Sequence, residues 1–130
     1  MKLLLDTQVL LWSAGEPKRL SEEARALLAA PENLLHFSPA NLWEVVIKNG
    51  LGRDDFQVDA HALRRGLLDN GYRELCIDSS HALMVQNLPA IHKDPFDRML
   101  IAQAMVEGLT LVTSDGLIVR YPVSTVRVSV

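Results

Sequence analysis

The chain has 130 residues and 14.5 kDa, room for one domain and little for a second. With 48% hydrophobic and 22% charged residues it can bury a core and is no disordered tail, and with 5% aromatics it lacks the stacked surface of a single-strand binder. The net charge of -3, from 13 basic and 16 acidic side chains, gives no whole-molecule attraction for a polyanion.

The first residues, MKLLLDTQVLLW, faintly resemble a secretion signal, but Asp6 cuts the apolar stretch and no small-residue cleavage site follows, so the start is read as structural. Lys2 to Asp6 is a short apolar run ending in an acid, a strand, and TQVLLWSA after it is a short helix. Ser21 precedes EEARALLAA, a helix with two glutamates in its first turn, stopped by Pro31. Leu34 to Phe37 is a second strand; Ser38-Pro39 opens the helix ANLWEVVIKNG, with Gly50 just past its end. Asp59 begins HALRRGLLDNG, closed by Gly71, and Gly50 to Asp59 is the expected mobile loop. ELCID, Glu74 to Asp78, reads as a buried third strand holding the lone Cys76, whose thiol has no internal partner and fits a reducing cytoplasm. Asp78 or Ser79 caps SSHALMVQNL, which Pro89 ends; Asp94-Pro95 starts the longest clear helix, FDRMLIAQAMVEG, closed by Gly108. LTLVTS is the fourth strand and Thr125 to Val130 the fifth.

Strands separated by helices imply parallel pairing with helices on both faces, a three-layer α/β/α fold filling residues 1–130 as one domain. No apolar run approaches the roughly 20 residues that cross a bilayer, so no membrane association is expected.

Ligands of open α/β sheets bind beyond the carboxyl ends of the strands, where Asp6 and Asp115 fall. Asp97 lies in the first turn of the helix before the fourth strand, and Glu44 interrupts LWEVVI among apolar neighbours, a costly place for a carboxylate unless something positive meets it. Each has an ordinary explanation as well. Asp6 can cap a helix, Glu44 can pair with Lys48 one turn on, Asp97 can favour a helix dipole, and Asp115-Gly116 can form a turn. Together, four carboxylates that can lean over one sheet edge would repel without a cation. Oxygen donors without convergent His or Cys point to magnesium or manganese and away from zinc. His36, His61, His81 and His92 show no ligand spacing and are read as surface or core residues; Glu107, Asp54, Asp55 and Asp59 are read as solvated. Without the four proposed ligands 13 basic face 12 acidic side chains, a net of +1, so an anionic substrate is acceptable, with Lys48, Arg53, Lys93 and Arg98 near the pocket in sequence.

The segments LLLDTQVLLW, SPANLWEVVIKNGLGR, HKDPFDRMLIAQA and LTLVTSD resemble the signature segments of PIN-domain proteins, specifically the VapC-type toxin ribonucleases of bacterial toxin-antitoxin pairs, from about residue 3 to residue 120. DPFDRMLIAQA is the most specific of them. The resemblance implies a PIN-like fold and a magnesium- or manganese-dependent endoribonuclease with Asp6, Glu44, Asp97 and Asp115 as its acidic quartet. Asp94 then matches a helix cap, Thr7 and Thr113 match polar positions beside the site, and Lys48 and Arg98 are candidate contacts to RNA. Asp6 and Asp97 would hold the principal ion, Asp115 would complete that site directly or through water, and Glu44 would hold a second ion or act as base. The resemblance further implies an antitoxin partner and a homodimer; Leu10, Leu11, Trp12, Leu42 and Trp43 either form a groove for the antitoxin or fill the core, the core being favoured. Gln8 and Ser114 depart from residues common in the family, which bears on substrate detail and removes no ligand.

Rival readings are a phosphatase of the haloacid dehalogenase kind, which needs a second acid where Gln8 stands, and a receiver domain, which needs adjacent acids and a strand-end lysine. A binding module without catalysis is the third. No glycine-rich phosphate loop follows a strand, since NGLGR follows a helix.

Overall fold

The computed structural model describes residues 1–128. In chain order the elements are β1 (Lys2–Leu5), α1 (Thr7–Gly15), a 3-10 turn (Pro17–Arg19), α2 (Glu22–Ala29), β2 (Leu34–Phe37), α3 (Pro39–Gly50), α4 (Ala60–Asp69), β3 (Arg73–Glu74), α5 (Ser79–Met84), a 3-10 turn (Val85–Asn87), α6 (Pro95–Glu107), β4 (Thr110–Thr113), a third 3-10 turn (Ile118–Arg120) and β5 (Thr125–Arg127).

Why the first strand is continuously apolar follows from where its side chains go. Leu3 and Leu5 are fully buried in a core with α1, Val45 of α3 and Leu63 and Leu67 of α4, whereas Leu4 between them enters a second core built on Leu100, Ile101 and Ala104 of α6. β4 repeats the division, with Val112 in the first core and Leu111 in the second. A strand that alternates between two buried faces has no polar position to offer, which is the sequence mark of a parallel sheet covered on both sides. The sheet order is β3-β2-β1-β4-β5, every pair is parallel, and the three-layer expectation holds. The chain runs outward through β1, β2 and β3, then returns to the centre and runs outward the other way, so the order reverses between β1 and β4. Such a reversal opens a crevice at the carboxyl ends of the two strands.

Caps fix the helices that face this crevice. Ser38 caps α3 through Ala40 N–H, and Asn41 accepts Ser38 N–H in return at 2.8 Å, closing a capping box behind Pro39. Asp94 caps α6, accepting from Phe96 and Asp97 N–H, while Gly108 ends it in the left-handed region at φ 69°.

Some boundaries differ from the sequence expectation. ELCID is not a buried strand: β3 is only Arg73–Glu74, and Cys76 is exposed. Leu75 N–H still reaches Phe37 O, but Leu75 O is taken by Gln103 of α6, which draws the chain off the sheet edge before Cys76. The run expected as one helix from Ser79 divides at Met84 into α5 and a 3-10 turn, and α3 retains Gly50, with the left-handed conformation two residues later at Gly52, φ 69°. β5 stops at Arg127, and the last two residues of the expected strand lie outside the described ones. The expected loop after Gly50 has no regular structure up to Asp59; it carries an exposed Arg53–Asp55 ion pair and is pinned where Asn49 both donates to Val58 O and accepts Val58 N–H. Among the described residues, no helix is long and apolar enough to cross a membrane.

Candidate metal centre

Asp6 leaves β1 at the crevice. Its N–H extends the ladder to Val112 O, its Oδ1 accepts Val9 N–H at 2.8 Å as the cap of α1, and its Oδ2 accepts the Thr113 hydroxyl at 2.5 Å. The helix-cap reading and the site reading of this residue are therefore compatible: a carboxylate oxygen has more than one lone pair, and Asp6 is 4% exposed at the point where β1 and β4 end. Burial raises its pKa above the ordinary carboxylate value, more than the Thr113 and Val9 hydrogen bonds lower it, and the charge of Glu44 adds to the rise. Thr113 is fully buried and also accepts Asp115 N–H at 2.9 Å, so one hydroxyl ties Asp6 to the turn that carries Asp115.

α3 is held over the same edge by Asn41, which the sequence reading did not single out. Its Nδ2 donates to Thr7 Oγ1 at 2.9 Å and to Leu5 O at 3.3 Å, while its Oδ1 closes the capping box. Thr7, expected beside the site, thus supports α3 from within. Glu44 lies one turn beyond Asn41, 6% exposed. Lys48 Nζ meets its Oε2 at 2.9 Å, and its Oε1 is buried with no hydrogen-bond partner among the described residues. An orphaned buried carboxylate oxygen is expensive unless a cation or a donor completes it.

Asp97 enters from the first turn of α6. Burial pushes its pKa up to about 7, helped by the charges of Asp94, Asp6 and Glu44 and opposed by His92. Three carboxylates from three separate parts of the chain thus feel one another. Asp115 Oδ1 accepts Leu117 N–H at 2.8 Å in the expected turn; burial disfavours its charge, but Leu117, His92 and Arg127 outweigh that and hold it below the ordinary range.

His92 corrects the reading of the histidines. Its Nε2 lies 2.8 Å from Asp115 Oδ2 and 3.1 Å from Asp97 Oδ2, and the three side chains offer atoms within 4.8 Å of one another, close enough to share an ion. A histidine does converge on the carboxylates, contrary to the sequence expectation. No spacing signal marks His92, because a loop and not a helix face brings it in. Arg98 is also corrected as an RNA contact: its guanidinium donates to Pro89 O, Val85 O and the Tyr121 hydroxyl, which makes it a clamp on the loop before α6. Arg127, unremarked in the sequence, packs its guanidinium against Gly116, where a Cβ would lie 3.2 Å from it.

A second trio, Asp78, His81 and Glu107, has an ordinary account. His81 Nδ1 accepts Asp78 N–H in the capping box of α5 and Nε2 faces Glu107 at 3.0 Å, so this histidine is a satisfied core residue and Glu107 is its partner. Of the apolar residues considered for a groove, Leu10 and Trp12 are core and Leu11 and Leu42 pack against it; Leu11 and Trp12 also border a cleft of about 1190 Å³ between α1 and α4, and Trp43, 62% exposed, lines a smaller one of about 440 Å³. The Trp43 and Phe96 rings meet edge to face at 5.2 Å there. The quartet lines neither cleft, although Gln8 and Lys48, its neighbours, stand at the edge of the larger.

The PIN domain family matches residues 3–123 of this sequence. The chain belongs to the PIN domain family. No curated protein sequence matches it. Among solved structures the PIN domain is similar to VapBC2 from Rickettsia felis bound to a DNA fragment from its promoter, at 15% identity and TM-score 0.73 over 99% of this chain and 100% of that one. It is similar to FitAcB from Neisseria gonorrhoeae at 21% and 0.64, over 95% of each chain, and to VapC20 from Mycobacterium tuberculosis, described as a sarcin-ricin loop cleaving toxin, at 18% and 0.63, over 96% and 98%. At these identities the likeness is one of fold.

Proposed function

We propose that this PIN domain is a divalent-metal-dependent endoribonuclease and the toxin of a toxin-antitoxin pair, acting in the cytoplasm. The observation that carries the reading is the convergence of Asp97 and Asp115 with His92, their atoms within 4.8 Å of one another, beside the buried Asp6 and the orphaned Glu44 Oε1, whose charges help push the Asp97 pKa up to about 7. Mutual repulsion of this kind is relieved by a cation, and hard carboxylate oxygens suit magnesium or manganese. The residues therefore fit such a group: Asp6 and Asp97 would hold it, Asp115 would complete the set directly or through water, and Glu44 would hold a second ion or serve as base toward the attacking water.

When bound, a divalent ion lowers the pKa of water and neutralises charge on the leaving oxygen of a phosphodiester. The chain supplies the rest. Thr113 and Val9 N–H fix the Asp6 carboxylate, as supporting partners of metal ligands do, and Lys48 Nζ holds Glu44 Oε2 at 2.9 Å. Attack by water, with no 2′-hydroxyl nucleophile, leaves a 5′-phosphate and a 3′-hydroxyl. The likeness to the VapBC2 structure supports an antitoxin partner, and the cleft bordered by Leu11 and Trp12 is the surface proposed for it; a homodimer is part of the same reading.

Total cellular RNA treated with wild type and Asp97→Asn tests the proposal. Discrete fragments carrying 5′-phosphate ends from wild type, lost in the variant, are expected; 2′,3′-cyclic ends or equal cleavage by both overturn the mechanism. Expression of the wild-type chain alone is expected to arrest growth, and unaffected growth removes the toxin role while leaving the nuclease.

A further inference from the structure

The hydrogen bonds of His92 decide which way its ring is protonated. Asp94 N–H donates to Nδ1 at 3.1 Å, and a backbone amide can only donate, so Nδ1 is the bare nitrogen and Nε2 carries the hydrogen. That hydrogen is given to Asp115 Oδ2 at 2.8 Å, while Asp97 Oδ2 stands 3.1 Å from the same nitrogen as its other carboxylate neighbour. The residue is fastened from behind as well: its own N–H donates to the Tyr121 hydroxyl at 2.6 Å, and Arg98 holds that hydroxyl at 3.2 Å. The residue is thus held at both ring nitrogens and at its backbone N–H, on a stretch without regular structure.

We infer that His92 is a positioning residue of the proposed metal centre, donating its Nε2 hydrogen to Asp115 Oδ2 and standing against Asp97 Oδ2, and so presenting the other oxygens of the two carboxylates to the ion, without itself being a ligand. The alternative, coordination through Nε2, requires the hydrogen to move to Nδ1, where it would oppose Asp94 N–H. Asp94 thus acts twice, its side chain capping α6 and its backbone setting the ring. The inference rests on the metal-dependent reading above and deepens it. It makes the histidine two residues before Asp94 part of the site through the carboxylates it steers.

Titration of Mn2+ followed by electron paramagnetic resonance, with wild type and His92→Ala, is the test. Wild type is expected to bind, and His92→Ala to bind roughly 10- to 100-fold more weakly, with His92→Gln, whose amide still donates, recovering part of the loss. Affinity in His92→Ala equal to or tighter than wild type overturns the inference alone; a wild type that binds no Mn2+ overturns the metal reading and this one with it. A second measurement needs no variant. Imidazole 15N resonances of the wild-type protein are expected to keep the Nε2-protonated form with and without Mg2+, and loss of that hydrogen on adding Mg2+ makes His92 a ligand and ends the proposal.

Discussion

Asp97 holds its proton for a reason that belongs to its surroundings: it is largely buried and three other carboxylates face it, with only His92 opposing them. Its ordinary value is 3.8 and its folded value about 7, so between those pH values the folded chain keeps a proton that the unfolded chain has released. Folding is then penalised as pH rises through this window, by an amount on the order of a few kcal/mol, and the penalty is absent below pH 4. Denaturation midpoints of metal-free wild type and Asp97→Asn should converge near pH 4 and separate toward pH 7, with the variant the more stable. Parallel profiles would mean that the carboxyl is solvated and the crowding unreal. Asp115 contributes with the opposite sign, since its depressed value makes its share of stability fade as acid is added.

At the level of elements, α3 is docked by one residue. Asn41 satisfies Ser38 N–H, Leu5 O and Thr7 Oγ1 at once, all of them buried. Asn41→Ala strands these groups and should cost about 2–3 kcal/mol, measured as a lower urea midpoint. It should also weaken Mn2+ binding, because Glu44 sits one turn along the freed helix; a destabilised variant with unchanged metal affinity would detach Glu44 from the centre. Element types were largely legible in the sequence for local reasons: Ser21, Ser38-Pro39 and Asp94-Pro95 begin helices, and Gly108 ends one. Asn41 and His92 were not legible as partners, because what they bond to comes from strands and loops far along the chain. Arg98 misled for the same cause. A basic residue beside an acidic motif looks free for substrate until the carbonyls of the preceding loop are known to surround it. Cys76 was misplaced because the apolar run around it says nothing of its neighbour strand: opposite Leu75 O stands Pro39, which has no N–H to continue the ladder, and Gln103 takes that carbonyl instead.

Across the whole molecule, the charge of -3 is unevenly spread, and the four proposed ligands account for its sign. A cation bound only by the folded chain stabilises it by mass action, about 2.7 kcal/mol when the free metal is at 100 times its Kd, which is on the order of 10 °C for a domain of this size. Melting with Mn2+ or Mg2+ should show this rise for wild type and little of it for Asp97→Asn. Equal rises would place the ion elsewhere on the surface. The position of β1 has a further consequence. It precedes the other strands in the chain and is the middle of the finished sheet, yet Thr113 and Asp115, which complete its edge, come more than 100 residues later. A chain cut short before Thr110 keeps Asp6, Glu44 and Asp97 but loses the central partner of β1 and the turn that carries Asp115, so a truncated copy would carry most of the carboxylates and no frame to hold them together.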